Sequence, residues 1–180
     1  MDELFVQTTD EVAYDFIELA KSNHYGIEIT SFALPWTLDG DWKTLLNSYK
    51  LALKDFRNEV AIHGVFMDTV TASRDAKIVS VVRERILQNI EIAGQLGAKI
   101  VAFCSCFNPC IAKSSPRYVE GYKKRQVKFW SEILESVDNS SLTLVFENLW
   151  ESQPELVRDV LDSVSSENFK ALLDTGHANI

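Results

Sequence analysis

One pattern governs what this chain can fold into: a short apolar run, a turn, a long amphipathic stretch, then another short apolar run. The runs are LFVQT, YGIEITSF, EVAIHGVF, AKIVAFCSCF, LTLVFENL and FKALLDTG. Several are rich in β-branched or aromatic residues, and most are nearly continuous rather than alternating. That is how strands covered on both faces read. Between them the period lengthens to that of a helix. The segment after residue 73 sets Ile78, Val82, Ile86, Ile90 and Ala93 along one stripe, with Gly97 as a stop. Strand–helix alternation with a repeat of ~30–40 residues argues βα units, a parallel sheet and an α/β fold. Six strands and five helices are expected, in one domain over residues 1–180.

Two architectures accommodate that pattern. A doubly wound sheet usually carries a Gly-rich phosphate turn after its first strand, and LFVQTTDEV has none. A (β/α)8 TIM-barrel type fold places its chemistry at the C-terminal ends of several strands, where polar residues should then gather. The barrel is the architecture expected. Thr8-x-x-Glu11 and Ser152-x-x-Glu155 are capping-box spacings that mark helix starts, and ALPWTLDGDW is the most turn-like stretch.

Charge narrows the partners. Twenty-six acidic residues stand against 18 basic ones, a formal net charge of −8, which disfavours a polyanion such as nucleic acid. The densest basic run, GYKKRQVKFW, is read as the solvated face of a helix. No apolar run reaches the ~18 residues of a membrane span. The acidic start MDELFVQTTDEVAYD does not resemble a secretory signal, so the cytoplasm is the expected compartment. Cys104, Cys106 and Cys110 all fall in FCSCFNPC. Disulfides across such short loops would be strained, and the three are read as packed or spare thiols rather than a soft-metal site.

The strand ends carry the chemistry. Run three ends AIHGVFMD, run five LVFENLWE and run six LLDTGHAN. Each time an ionisable residue interrupts the apolar run as the chain leaves the sheet: His63, Glu147 and Asp174. Counting back by two, Glu147 shares a face with Val145 and Thr143, Asp174 with Leu172, and His63 with Ala61. A divalent cation takes carboxylate and imidazole ligands and acts as a Lewis acid on a substrate oxygen. It also removes the repulsion between two neighbouring buried carboxylates. Singly, each residue has an ordinary reading. His63 can be a structural histidine, Asp174 a turn former or helix cap, and Glu147 with Asn148 a backbone partner. Glu28, inside YGIEITSF, fits either an ion pair or the lower wall of the same site.

These residues and their order resemble the xylose isomerase-like TIM-barrel superfamily, which holds the sugar (phosphate) isomerases and epimerases and the endonuclease IV family. YGIEI at strand two, IHGVF at strand three, FENLWE at strand five and LLDTGHAN at strand six carry the resemblance, which spans essentially the whole chain. LLDTGHAN is its most specific piece. The resemblance implies that Glu147 and Asp174 ligate a divalent metal (Mn2+, Co2+, Mg2+ or Zn2+), with His177 as a further ligand or a substrate contact. It also makes Glu147 the catalytic acid/base beside the carbon whose proton moves, and His63 a contact to substrate hydroxyls. The endonucleases carry a histidine just after strand four, where this chain reads FCSCFNP.

The function expected is therefore metal-dependent isomerisation or epimerisation of a sugar, sugar phosphate or cyclitol, by proton transfer through an enediolate. The alternatives are an endonuclease IV-like zinc phosphodiesterase acting on abasic DNA, and a non-catalytic barrel fragment. A full barrel takes about 250 residues, and the family places further His and Glu ligands on strands seven and eight. A barrel cut short after strand six is thus expected, with little activity alone and edge strands able to pair with a second copy.

Overall fold

A computed structural model of the chain describes residues 4–137, 141–151 and 153–179. It is an α/β fold with six strands: β1 Phe5–Thr8, β2 Gly26–Ile29, β3 Val60–His63, β4 Ile100–Cys104, β5 Thr143–Glu147 and β6 Phe169–Leu172. They form one sheet in chain order, β1-β2-β3-β4-β5-β6, and the pairs β1/β2, β2/β3 and β5/β6 are parallel. Sequential order with helix between each strand and the next is what the βα repeat predicts. The six apolar runs are the six strands.

Among the described residues there are seven α-helices where five were expected: α1 Ala13–Asn23, α2 Pro35–Asp39, α3 Trp42–Ala52, α4 Ala76–Leu96, α5 Pro109–Ser114, α6 Pro116–Ser136 and α7 Glu155–Val164. The two extra helices, α2 and α5, are too short to show a helical period. Both begin on a proline whose fixed φ suits the first helical position. The stretch read as turn-like holds α2 and, across Gly40, the start of α3. There Asp41 caps by accepting the Thr44 N–H at 3.2 Å.

The capping box at Thr8 does not form. Thr8 ends β1 and its hydroxyl donates to the Thr9 carbonyl at 3.1 Å, while a 3₁₀ turn over Asp10–Val12 precedes α1. Ser152 lies outside the described residues. The stripe on α4 holds for Val82, Ile86, Ile90 and Ala93, all buried, but Ile78 in the first turn is exposed. The helix stops as expected: Gly97 takes φ +73 and the Ala98 N–H reaches back to the Ala93 carbonyl at 3.0 Å.

The chain divides into two compact units, residues 1–67 with 85–101 and residues 68–84 with 102–180. In the first, Ile27 and Ile29 of β2 and Ile62 of β3 are fully buried beside Ile17 and Ala20 of α1. Glu28 is half-buried, in register with Gln7 and Ala61. Asn89 is a buried amide with both ends used. It donates to the Phe32 carbonyl at 2.8 Å and accepts the Val65 N–H at 2.9 Å, as burial of a polar group requires.

Tyr49 of α3 is buried with its hydroxyl 2.7 Å from Ser31 Oγ, and burial pushes its pKa up to about 12. An unfolded tyrosine ionises near pH ~10. A folded pKa raised above the unfolded one stabilises the fold fully below pH ~10, and that stability is lost as pH rises towards 12. Denaturant titrations from pH 9 to 12 should show that decline in the wild type and a shallower one in Tyr49→Phe. Identical slopes would contradict the assignment.

The second unit is built around Trp130 of α6, which is fully buried. Its ring lies 5.4 Å from Phe103, 5.3 Å from Phe129, 5.9 Å from Phe146 and 5.1 Å from Phe169. The indole N–H donates to Gln126 Oε1 at 3.0 Å. This aromatic layer fixes α6 against β4, β5 and β6. The basic run on α6 is largely a helix face. Lys123 bridges Glu120 and Asp159, and Lys124 and Lys128 are exposed. Among the described residues, no helix is long and apolar enough to cross a membrane.

Candidate functional site

The site lies where β5 and β6 end, within the second unit. Glu147 is the last residue of β5, in register with Leu172, the last of β6. The backbone at Glu147 is held from the other side too, since the Ser105 N–H donates to its carbonyl at 2.9 Å. The residue is 4% exposed. The Cys104 thiol donates to Glu147 Oε2 at 3.5 Å, and Oε1 lies 3.4 Å from His177 Nδ1.

Asp174 follows β6 by two residues and serves two roles at once. One carboxylate oxygen, Oδ1, accepts the His177 N–H at 2.7 Å, and the Asp174 carbonyl accepts the Ala178 N–H at 3.1 Å. Together they launch the 3₁₀ turn His177–Asn179. The other oxygen, Oδ2, lies 3.8 Å from His177 Nδ1. The turn-former reading and the ligand reading are thus compatible in one side chain. The His177 N–H, more than the imidazole charge, holds the Asp174 carboxyl below the usual carboxylate range.

Asn148 was not singled out from the sequence as a site residue, yet it organises both strand ends. Its amide donates to the Asp174 carbonyl at 3.0 Å and its Oδ1 accepts the Asp174 N–H at 2.8 Å. Its own carbonyl lies 2.9 Å from His177 Nδ1. A carbonyl only accepts, so that contact needs the imidazole proton on Nδ1, and an ion held through the same nitrogen would have to displace that proton. The one signal available in the sequence was an amide directly after the strand-end Glu, able to donate and accept simultaneously.

The three side chains fit a divalent ion. One donor atom each from Glu147, Asp174 and His177 falls within 4.8 Å of the others, and donors on a common ion sit roughly 3 to 5 Å apart. Two carboxylates this close repel by about 4 kcal/mol at the effective dielectric of a protein. A shared proton or a shared cation relieves that repulsion.

His63 ends β3 in the other unit. It is half-buried, with Nδ1 2.8 Å from the Gly64 carbonyl and its ring 5.1 Å from Phe66. The three cysteines differ in burial: Cys104 is buried, Cys106 half-buried and Cys110 exposed. Burial, and then the Glu147 carboxylate, keeps the Cys104 thiol protonated far above the usual thiol range. Iodoacetamide at pH 8 should therefore alkylate Cys110 first and Cys104 only on unfolding. Equal rates at the two would contradict the burial of Cys104.

A cavity of about 710 Å3 opens beside His177, lined by Phe107, Val119, Trp150, Leu156 and the ionisable Lys113 and Glu151. Trp150 stands 6.2 Å from the His177 ring. Glu151 accepts the Leu149 N–H at 2.7 Å through Oε2, and its Oε1 is buried without a hydrogen-bond partner among the described residues. Apolar walls with a few convergent polar groups are the composition of a small-molecule pocket.

A family model described as xylose isomerase-like TIM barrel matches residues 6–180. The chain belongs to that family. No curated protein matches it. Among solved structures, this xylose isomerase-like barrel is similar to the TTHB071 protein from Thermus thermophilus soaked with ZnCl2. That match has 21% identity and a TM-score of 0.69, and covers 100% of this chain and 69% of the other. It is also similar to a D-psicose 3-epimerase crystallised in the presence of D-fructose, with 16% identity, a TM-score of 0.76 and coverage of 98% and 65%. The IOLI protein with a bound zinc atom gives 16%, 0.67, 98% and 64%. The chain thus spans about two thirds of the length of these structures, and at such identities they establish the fold alone.

Proposed function

We propose that this chain carries the strand-five and strand-six part of a divalent-metal-dependent isomerase or epimerase of a sugar, sugar phosphate or cyclitol. One observation carries the reading: a buried carboxylate, Glu147, gathered with Asp174 and His177 at adjacent strand ends beside a ligand-sized cavity. Membership of the family and the sugar epimerases among its structural neighbours support it.

Glu147 and Asp174 would hold the ion, with His177 as a further ligand or a contact to substrate hydroxyls. A bound ion would polarise the substrate's adjacent carbonyl and hydroxyl oxygens. Glu147 takes the proton from the carbon beside the carbonyl and returns it, the substrate passing through an enediolate. Burial suits Glu147 to that work, because exclusion of water strengthens each charge interaction around it. Asn148 is a positioning residue that sets the Asp174 backbone and the His177 tautomer. Epimerisation needs a second acid/base on the opposite face of the carbon, and no described residue is assigned to it. Proton exchange without inversion is therefore the half-reaction that Glu147 alone supports.

The test is NMR in D2O with ketoses, ketose phosphates and keto-cyclitols as substrates. Deuterium should enter at the carbon beside the carbonyl when Mn2+, Co2+, Mg2+ or Zn2+ is present, and not after chelation. Cleavage of an abasic duplex with no exchange into any sugar would overturn the reading in favour of a zinc phosphodiesterase.

A further inference from the structure

A second cavity, sharing no lining residue with the one beside His177, lies between the start of α4 and the middle of α6. It measures about 270 Å3, and four basic side chains line it, Arg74, Arg83, Arg125 and Lys128, against one acidic side chain, Glu132. In a chain of net charge −8 that local balance is inverted.

The four cations are not equally committed. Arg83 pairs with Glu132 and lies over the Phe129 ring, and Lys128 Nζ is 3.9 Å from Glu132. Arg125 is half-buried and spends only Nε, which donates to the Ala72 carbonyl at 2.6 Å. Its guanidinium rests over Gly121, where an added Cβ would meet Nη1 at 2.8 Å. The fork is thereby held in place, and among the described residues both Nη groups are uncommitted. Arg74 has no carboxylate partner among the described residues. Ser73 lines the same cavity; its Oγ accepts the Asp75 N–H at 3.1 Å and keeps its own proton to donate. Asp75 itself stands immediately before α4 and covers that end of the helix, accepting the Lys77 N–H at 2.8 Å, so the helix terminus is not the source of attraction.

We propose that this cavity binds a phosphate-class oxyanion, either free phosphate or the phosphoryl group of a small phosphate monoester. A pinned guanidinium with two free Nη groups, a second uncommitted guanidinium and a hydroxyl donor match the several acceptor oxygens of a tetrahedral dianion. Glu132 holds Arg83 and Lys128 at the rim, so they contribute field rather than direct contacts. The site does not depend on the role given to Glu147.

Calorimetry and 31P line broadening with inorganic phosphate, a sugar phosphate and the corresponding free sugar test it at low ionic strength. Phosphate or the monoester should bind one per chain, and the free sugar should not bind here. Whichever of the two binds tighter identifies the source. Loss of a charge-assisted contact is worth about 10- to 100-fold in affinity. Arg74→Ala, exposed and without a structural bond, should weaken binding by at least about 10-fold, whereas Lys54→Ala, exposed elsewhere, should leave it unchanged. Absence of saturable binding, equal binding by Arg74→Ala, or binding of an oligonucleotide in place of either phosphate ligand would overturn the proposal.

Discussion

Glu147→Gln should lower the rate of solvent-proton exchange into substrate by about 10²- to 10⁴-fold, the span that a positioned acid/base contributes. The substitution keeps the shape of a residue that is 4% exposed, so packing against β4 survives. It removes the lone-pair basicity that accepts a proton, and one negative charge from the group of Glu147, Asp174 and His177. Asp174→Asn should affect exchange mainly through lost ion affinity, because Asp174 also starts the turn that carries His177. Raising the ion concentration should then rescue Asp174→Asn and fail to rescue Glu147→Gln. Exchange in Glu147→Gln at the wild-type rate would remove Glu147 from the chemistry.

The largest effect on folding should come from Trp130→Ala, at about 3 to 5 kcal/mol. Trp130 is fully buried, touches four phenylalanine rings and donates its N–H to Gln126. Deletion leaves a void among rings that come from β4, α6, β5 and β6, so no single side chain can collapse into it. It also removes one of the donors that satisfy the buried Gln126, which keeps its bonds to Thr71 and the Ser105 carbonyl. At about 2 to 4 °C per kcal/mol for a chain of this size, the melting temperature should fall by roughly 6 to 20 °C. Trp130→Phe should recover most of that loss. A change of less than about 1 kcal/mol in Trp130→Ala would mean that the aromatic layer is not the core of the second unit.

The strands were legible because continuous apolar runs have few alternatives in a chain that must bury them. Glu147 was legible because an ionisable residue closes such a run in LVFENL, and Asp174 because it does so in LLDTG. His177 came from the resemblance, and the structure brings its ring to both carboxylates. Asn148 was legible as a partner for backbone but not for which backbone, since its four bonds run to residues more than twenty positions away and leave no local trace. Cys104 could be read as packed but not as a donor to Glu147, because only the pairing of β4 with β5 brings the two together. The short helices α2 and α5 contain too few residues for a period to show. Ile78 belonged to the stripe on α4 by spacing, but it sits in the first turn, where it stays exposed.

The central claim is that Glu147, Asp174 and His177 share one divalent ion, and titration calorimetry of the metal-free protein with Mn2+ or Zn2+ tests it most directly. One ion per chain should bind, with affinity lowered at least about 10-fold in Glu147→Gln and in Asp174→Asn, and no saturable binding in the double variant. Unchanged binding in the double variant, or binding abolished instead by replacing Cys104, Cys106 and Cys110, would contradict it.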